Sequence, residues 1–165
     1  MVSPRLFKCV DKLGAPFEIG ECGEESFLSL IEMYDGFSRT DLTQGLPPPG
    51  KKARDQWVEM LLKSAKNFLA WRDGRVIGHS SIIPDTRRGD AEFIIFVSQP
   101  FRDRGVGSEL TVLALQKAKE LGLTKVWLTV EFVNFRAMGL YHKTGFQIVN
   151  HAERERIMVL ELWGA

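Results

Sequence analysis

A glycine turn between an apolar segment and an amphipathic segment is the feature that most constrains how this chain folds. The apolar segment is residues 93–97, FIIFV, and the turn is residues 102–107, RDRGVG. A strand that ends in such a turn and continues as a helix leaves several backbone N–H groups unpaired and pointing in one direction. Because the positive end of the helix dipole lies behind them, the turn predicts a phosphate-binding site.

The segment after the turn is predicted to be a helix. Its apolar residues recur at helical spacing on one face, namely Leu110, Leu113, Ala114, Ala118 and Leu121. Gly122 is placed to end the helix in a left-handed conformation. Gly105 and Gly107 would let a ligand approach the backbone where a side chain would obstruct it. A helix N-terminus that contains glycines for other reasons fits the same pattern.

Two familiar phosphate-binding loops do not fit this turn. A P-loop requires a Lys followed by Ser or Thr after its last glycine, and here Gly107 is followed by Ser108 and Glu109. A dinucleotide-binding turn has a third glycine or an alanine where this chain has Leu110. The identity of the phosphate ligand therefore depends on the residues downstream.

A second group of residues follows at regular spacing. Residues 125–130 alternate as a strand does, and Asn134 is placed to begin a short helix that runs to Thr144. Gly145 can end that helix, and Phe146 begins a further strand. The predicted order is therefore strand, glycine turn, helix, strand, helix and strand.

Two signatures in this order resemble those of the GNAT superfamily, the acyl-CoA-dependent N-acetyltransferases. The first signature is Arg102-x-x-Gly105-x-Gly107, and the second comprises Asn134, Ala137, Tyr141, Gly145 and Phe146. The resemblance is good from about residue 67 to the end and loose before it. It implies one N-acetyltransferase domain over residues 1–165. The implied fold is α+β, the GNAT fold, with a mixed, mostly antiparallel sheet of about six or seven strands flanked by about four helices.

The remaining elements follow from periodicity and turn residues. Residues 6–10 and 17–21 are predicted to form a hairpin, and residues 75–83 form a second one with 68–72 around Asp73-Gly74. Helices are expected at 24–34 and at 53–64, the latter with Trp57, Met60 and Leu61 on one side. Further strands are expected at 91–97, 146–150 and 156–162.

Composition favours a soluble globular domain and excludes several other classes. The 165 residues are 44% hydrophobic and 26% charged, with a net charge of +1. A nearly balanced charge disfavours nucleic acid or an anionic membrane as a partner. No apolar segment reaches the ~18 residues of a membrane span, and no signal-peptide region is evident. Two cysteines and three histidines show no disulfide or metal pattern, so we expect no metal, a cytoplasmic location and reduced thiols. Whether the chain forms a homodimer stays open.

The resemblance implies acetyl-CoA as cosubstrate and direct transfer of its acetyl group to a primary amine. Such an amine is mostly protonated near neutral pH, because its pKa is about 10.4. A site of this kind therefore needs a base for the amine, a donor for the tetrahedral oxyanion and an acid for the departing thiolate. Both cysteines lie outside the two signatures, which favours transfer without a covalent intermediate.

Candidate residues can be named for the acid and the base. The resemblance places the Tyr141 hydroxyl beside the coenzyme sulfur as the acid, while a core tyrosine is the structural alternative. Glu92, at the start of an apolar strand, is the candidate base, because apolar neighbours would raise its pKa. An exposed carboxylate is the alternative for Glu92, and Glu131 is the second candidate base.

The resemblance also implies the coenzyme contacts. The backbone of Phe96 and Val97 would pair with the pantetheine arm, and the Val97 N–H would donate to the oxyanion. Asn134 would cap its helix and lie near the same arm. The backbone N–H groups of the turn would hold the diphosphate. The full set of expected coenzyme-site residues is Phe96, Val97, Arg102, Arg104, Gly105, Val106, Gly107, Ser108, Asn134, Ala137 and Tyr141.

The acceptor amine and the presence of turnover stay open. Residues 24–64 would shape the acceptor side, and this part of the chain is rich in acidic residues that either attract a cationic acceptor or form a solvated face. The acceptor could be a protein lysine, an N-terminus, an amino acid or a small amine. A non-catalytic acyl-CoA-binding regulatory module and a nucleotide-binding domain are the alternative functions.

Overall fold

The computed structural model describes residues 5–38, 41 and 46–163. In these residues the strands are β1 (Phe7–Val10), β2 (Pro16–Cys22), β3 (Lys66–Arg72), β4 (Arg75–Asp85), β5 (Asp90–Val97), β6 (Lys125–Glu131), β7 (Gln147–His151) and β8 (Glu155–Glu161). The helices are α1 (Phe27–Asp35), α2 (Lys51–Ser64), α3 (Val106–Glu120) and α4 (Phe135–Thr144). The predicted α+β fold is confirmed, with eight strands instead of about six or seven, because the hairpins at both ends of the chain join the same sheet.

The strands form one sheet in the order β1-β2-β3-β4-β5-β6-β8-β7. Neighbouring strands are antiparallel except β5 and β6, which run in parallel on either side of the α3 crossover. The sheet is therefore mixed and mostly antiparallel, as predicted. Its one parallel pair lies in the middle, next to the glycine turn.

The helices cover the two faces of the sheet. Alternation along the strands directs Phe93 toward α3 and α4, where it packs with Leu110 and Tyr141. On the other face, Leu69 of β3 packs with Tyr34 of α1 and with residues of α2. The α3 and α4 face holds the larger apolar core.

Two expected helix faces differ from the structure. Leu121 is 44% exposed because it follows the last residue of α3, where the helical spacing no longer applies. Met60 is 45% exposed, whereas Val58 and Leu61 are buried, so the packed face of α2 is rotated by about one residue from the predicted one. The predicted left-handed glycine after α3 is confirmed by a φ of +74° at Gly122.

The connection from β5 to α3 crosses the ends of several strands before the helix returns over them. A short 3-10 turn, Gln99–Phe101, follows β5, and the Arg72 guanidinium lies 5.4 Å from the centre of the Phe101 ring. The Lys12 N–H on the first hairpin then donates to the Arg104 carbonyl at 2.9 Å. This path brings the glycine turn against the N-terminal hairpin.

Candidate active site

A gap in the middle of the sheet is the central feature of the site. β5 and β6 pair only over their first three residues, and the last pair is Glu92 with Trp127. Beyond it β6 continues to pair with β8, and β5 continues to pair with β4. The two parallel strands therefore separate toward their C-terminal ends and leave an opening through the sheet.

A cavity of about 690 Å³ occupies this gap and extends to the glycine turn. Its wall combines the two signatures with the candidate base. The expected site residues that line it are Glu92, Phe96, Val97, Arg102, Gly105, Gly107, Ser108, Asn134, Ala137 and Tyr141. Residues separated by up to 49 positions in the sequence thus share one cavity, whereas Arg104 and Val106 do not line it.

The glycine turn has the geometry that a phosphate cradle needs. Gly105 begins α3 with a φ of +94°, a conformation that other residues rarely adopt. The first N–H groups of α3, those of Val106, Gly107 and Ser108, have no intrahelical partners by the geometry of a helix. A Cβ at Gly107 would lie 3.4 Å from the Leu140 side chain. With no side chain at Gly107, the backbone itself forms this part of the cavity wall.

The two arginines of the turn have partners inside the protein. Arg102 donates through Nε to the Val97 carbonyl at 2.8 Å and forms an ion pair with Asp41 at 2.8 Å. Arg104 lies 3.9 Å from Asp11, and its guanidinium is 6.0 Å from the centre of the Phe101 ring. Both side chains therefore hold the turn in place, and Arg102 does so at the edge of the cavity.

The free edge of β5 presents backbone groups to the gap. The Ser98 N–H donates to the Ile77 carbonyl of β4 at 2.9 Å, and hydrogen-bonding direction alternates along a strand. The Val97 N–H therefore points away from β4, into the gap, and so do the backbone groups of Ile95. Those of Phe96 face β4, so Ile95 rather than Phe96 joins Val97 at the open edge, and Phe96 lines the cavity with its side chain.

Tyr141 and Asn134 are positioned by α4. The Asn134 carboxamide oxygen accepts a hydrogen bond from the Ala137 N–H at 3.2 Å, which confirms the expected helix cap. The Tyr141 ring packs edge-on against Phe93 and Phe146, with ring centres 6.3 and 5.8 Å apart. Burial raises the pKa of Tyr141 above its usual value. The tyrosine thus belongs to the core and also lines the cavity, so its two predicted roles are compatible.

The candidate bases lie on the opposite face of the sheet from Tyr141. Alternation along β5 places Glu92 on the α1 and α2 face and Phe93, with Tyr141, on the α3 and α4 face. Burial raises the pKa of the half-buried Glu92 carboxyl. Glu131 ends β6 on the same face as Glu92, and both line the cavity. The gap therefore places a candidate acid and two candidate bases on opposite sides of one opening.

Three acidic residues near the acceptor side have cationic partners. Ion pairs join Glu21 to Lys117 at 2.8 Å, Asp35 to Lys51 at 3.2 Å and to Arg54 at 2.7 Å, and Asp41 to Arg102 at 2.8 Å. These contacts neutralise part of the acidic charge on this surface.

The cavity residues that have no signal in the sequence include a lysine of the N-terminal hairpin. Lys12, on the β1–β2 connection, lines the cavity beside Gly105 although it lies 93 positions away in the sequence. No local pattern marks it, because its position depends on how the first hairpin packs against the turn.

The cysteines lie apart from the cavity wall. Cys9 and Cys22 are free thiols, and burial raises the pKa of both, that of Cys22 to about 12. No three His, Cys, Asp or Glu side chains of residues 5–38, 41 and 46–163 gather as a metal site would require. None of the helices in the described part of the chain is long and apolar enough to cross a membrane.

Comparison with known proteins matches this chain to N-acetyltransferases. A model of the acetyltransferase (GNAT) family matches residues 30–146. An uncharacterized N-acetyltransferase of Mycobacterium tuberculosis is 31% identical over 116 residues, which cover 65% of this chain and 74% of that protein. An L-methionine sulfoximine/L-methionine sulfone acetyltransferase of Pseudomonas aeruginosa is 25% identical over 138 residues, 79% of this chain and 80% of the relative.

A solved structure shares the fold at lower identity. The PaiA N-acetyltransferase from Thermoplasma acidophilum, in complex with coenzyme A, superposes with a TM-score of 0.69 at 19% identity. The match covers 88% of this chain and 98% of that one. The described fold is therefore one that is known to accommodate coenzyme A in another protein.

Proposed function

Because the chain belongs to the acetyltransferase (GNAT) family, we propose that it transfers an acetyl group from acetyl-CoA to a primary amine by direct attack in a ternary complex. The observation that carries this proposal is the gap between β5 and β6, which opens through the sheet. The glycine turn and Tyr141 lie toward one face of the gap, and Glu92 lies on the other. A thioester and an amine that enter from opposite faces would meet inside it.

Each proposed role follows from the position of the group. Glu92 removes a proton from the incoming ammonium group, and its raised pKa makes it a stronger base than an exposed glutamate. The Val97 N–H donates to the oxyanion that forms when the amine nitrogen attacks the thioester carbonyl. The C–S bond then breaks, and the Tyr141 hydroxyl donates its proton to the departing thiolate.

The coenzyme contacts extend from the gap to the turn. The N–H groups at the start of α3 bind the diphosphate, and the open edge of β5 at Ile95 and Val97 pairs with the pantetheine arm. Asn134 and Ala137 line the same passage from α4. In this proposal the thioester lies next to Tyr141.

Direct transfer is favoured over a covalent enzyme intermediate. Neither Cys9 nor Cys22 lines the cavity, and burial raises the pKa of both thiols, which lowers the fraction of thiolate at neutral pH. A direct mechanism requires both substrates to be bound together. Initial rates measured at varied concentrations of both substrates should therefore give intersecting double-reciprocal lines, whereas parallel lines would indicate a covalent intermediate.

The acceptor is proposed only as a primary amine. The name of the Pseudomonas relative indicates an amino-acid-like acceptor for that protein. The cavity wall on the acceptor face includes the carboxylates of Glu92 and Glu131 and the apolar side chain of Leu46. Such a wall suits an acceptor in which an ammonium group is attached to an apolar portion. Protein N-termini, lysine side chains, amino acids and small amines all fit this description.

An amine panel tests the function. Purified protein is incubated with acetyl-CoA and each amine class, and free coenzyme thiol is measured together with the mass of the product. We expect amine-dependent thiol release that the Glu92→Gln variant reduces. Tight acetyl-CoA binding without thiol release for every amine class would contradict the enzyme and support a regulatory binding module.

A further inference from the structure

The connection between β1 and β2 is fixed against the glycine turn. The Asp11 carboxylate is buried and accepts hydrogen bonds from the N–H groups of Leu13 and Ala15 at 2.8 and 3.0 Å. Its other oxygen binds Arg72 at 2.7 Å and lies 3.9 Å from Arg104. A strand connection held by so many polar contacts has little freedom, so the residue that follows Asp11 occupies a defined position.

That residue is Lys12, and its backbone and side chain both meet the turn. The Lys12 N–H donates to the Arg104 carbonyl at 2.9 Å. The Cγ and Cε atoms of Lys12 both lie 3.9 Å from the point that a Cβ on Gly105 would occupy. The side chain therefore runs alongside Gly105 and lines the cavity where α3 begins.

Within the described residues, no ion pair balances the charge of Lys12. Around the turn, Arg102 pairs with Asp41, Arg104 lies near Asp11, and Arg136 pairs with Asp103 at 3.1 Å. In contrast, no carboxylate of the described residues lies within 4.0 Å of the Lys12 ammonium group. Lys12 is thus a cation beside the turn whose charge is available to a ligand.

We propose that Lys12 binds the diphosphate of acetyl-CoA, so that the N-terminal hairpin forms one wall of the coenzyme site. This inference rests on the proposed function, because it requires a diphosphate at the start of α3. The N–H groups of α3 would bind the diphosphate from one side, and the Lys12 ammonium group would bind it from the side of Gly105. A diphosphate carries more negative charge than one helix N-terminus balances, since that end is equivalent to roughly half a positive charge.

The test compares three proteins and three ligands by calorimetry. The proteins are wild type, Lys12→Gln, which removes the charge but keeps much of the stem, and Lys8→Gln, a matched control at an exposed position of β1. The ligands are coenzyme A, 3′-dephospho-coenzyme A and pantetheine. We expect Lys12→Gln to bind coenzyme A and its dephospho form about tenfold more weakly, as the loss of a charge-assisted contact predicts.

Pantetheine has no diphosphate, so all three proteins should bind it equally, and Lys8→Gln should match wild type throughout. A fourth protein, the Lys12→Arg variant, keeps the charge and should retain most of the affinity for coenzyme A. An unchanged affinity of Lys12→Gln for coenzyme A would overturn the inference. A loss that disappears with the dephospho form would also overturn it, because the contact would then be to the 3′-phosphate. Failure of wild type to bind coenzyme A would instead contradict the proposed function.

Discussion

At the scale of single residues, the Tyr141 hydroxyl can be separated from the Tyr141 ring. The Tyr141→Phe variant keeps the packing against Phe93 and Phe146 and loses only the proposed proton donor. We expect turnover to fall by roughly tenfold to a thousandfold, with little change in acetyl-CoA affinity. Because burial raises the Tyr141 pKa, the hydroxyl stays protonated at the neutral pH at which activity is measured. Ionisation of this hydroxyl should therefore reduce activity only above pH 10.

The second tyrosine provides a matched control for this variant. Tyr34 is buried, does not line the cavity and bonds His79 at 2.7 Å, so Tyr34→Phe removes a structural hydroxyl. Leaving a buried histidine nitrogen without its partner should cost about 1–3 kcal/mol of stability with little effect on turnover per folded molecule. Steady-state kinetics and urea unfolding of both variants give the comparison. Equal turnover in Tyr141→Phe and wild type would remove Tyr141 from the mechanism.

Glu92 and Glu131 differ in a way that the pH profile can report. A base must be ionised to act, so activity falls as pH drops through the pKa of the group that serves. Burial raises the pKa of Glu92. If Glu92 is the base, the activity of the enzyme should therefore begin to fall at a higher pH than it would with an exposed glutamate as the base. We expect Glu92→Gln to lower kcat and to remove this acidic limb, while Glu131→Gln retains it. The opposite pattern, with the limb lost only in Glu131→Gln, would assign the base to Glu131.

At the scale of elements, the turn before α3 should fail when a charged side chain is added to it. In Gly107→Glu, the new Cβ meets Leu140, Ile95 and Val97 at 3.4–3.7 Å, which are ordinary contact distances. The carboxylate would then enter the groove where the diphosphate and the pantetheine arm are proposed to lie. We expect a folded protein whose coenzyme A affinity falls more than a hundredfold, because bulk and negative charge both oppose binding.

Val112→Glu is the control for this change, since it adds the same residue to the exposed side of α3, where Val112 is 59% exposed. It should bind coenzyme A as wild type does. Circular dichroism confirms the fold of both variants, and calorimetry measures the affinities. Wild-type affinity in Gly107→Glu would show that the turn begins a helix and binds no diphosphate.

The elements also show what a sequence can and cannot predict. The turn, the α3 cap at Gly122 and the α4 cap at Asn134 depend on neighbouring residues, so local patterns identified them. The position of Lys12 depends on the contact of Asp11 with Arg72 and on its own contact with Arg104, residues at least 60 positions away, and no local pattern contains that information. The backbone direction at Ile95 depends on which strand lies on each side of β5, and therefore on sheet order.

At the scale of the whole molecule, a buried polar network joins α1 to the sheet. The Asn67 carboxamide nitrogen donates to the carbonyls of Leu61 and Ala65, so its oxygen accepts from the His79 Nε2–H at 2.9 Å. The other ring nitrogen of His79 then accepts from the Tyr34 hydroxyl. This arrangement requires a neutral ring, and burial lowers the pKa of His79 to about 3.

The network predicts that the protein is less stable in mild acid. Between pH 3 and about 6.5 the unfolded chain binds a proton at His79 that the folded chain does not, so stability falls as pH falls through this range. The slope from one such group approaches about 1.4 kcal/mol per pH unit, and the contribution is constant above pH 7.

Urea unfolding between pH 5 and 8 measures this slope in a Glu92→Gln background, because the raised pKa of Glu92 acts in the opposite direction. His79→Gln should flatten the slope, whereas replacement of the exposed His142 and His151 should not. Equal stability at pH 5 and pH 7 in that background would contradict a neutral, buried His79.

The stability of the whole molecule should also report which ligand the fold accepts. A ligand that binds only the folded state raises its stability by mass action, by about 2.7 kcal/mol at a hundred times its Kd. For a chain of 165 residues this corresponds to a rise in Tm of roughly 5–10 °C. We expect acetyl-CoA to give such a rise, and ATP and NAD at equal concentration to give little, because the turn lacks the lysine of a P-loop and the third glycine of a dinucleotide site.

All three ligands carry a diphosphate, so the difference between them must come from the passage beyond the turn, where Val97, Asn134 and Tyr141 line a route that suits a pantetheine arm. Pantetheine added together with ADP should therefore stabilise the protein less than acetyl-CoA, in which the two parts are joined. Equal stabilisation by ATP and acetyl-CoA would mean that the turn alone determines binding, and the assignment of the gap between β5 and β6 to the thioester would fail.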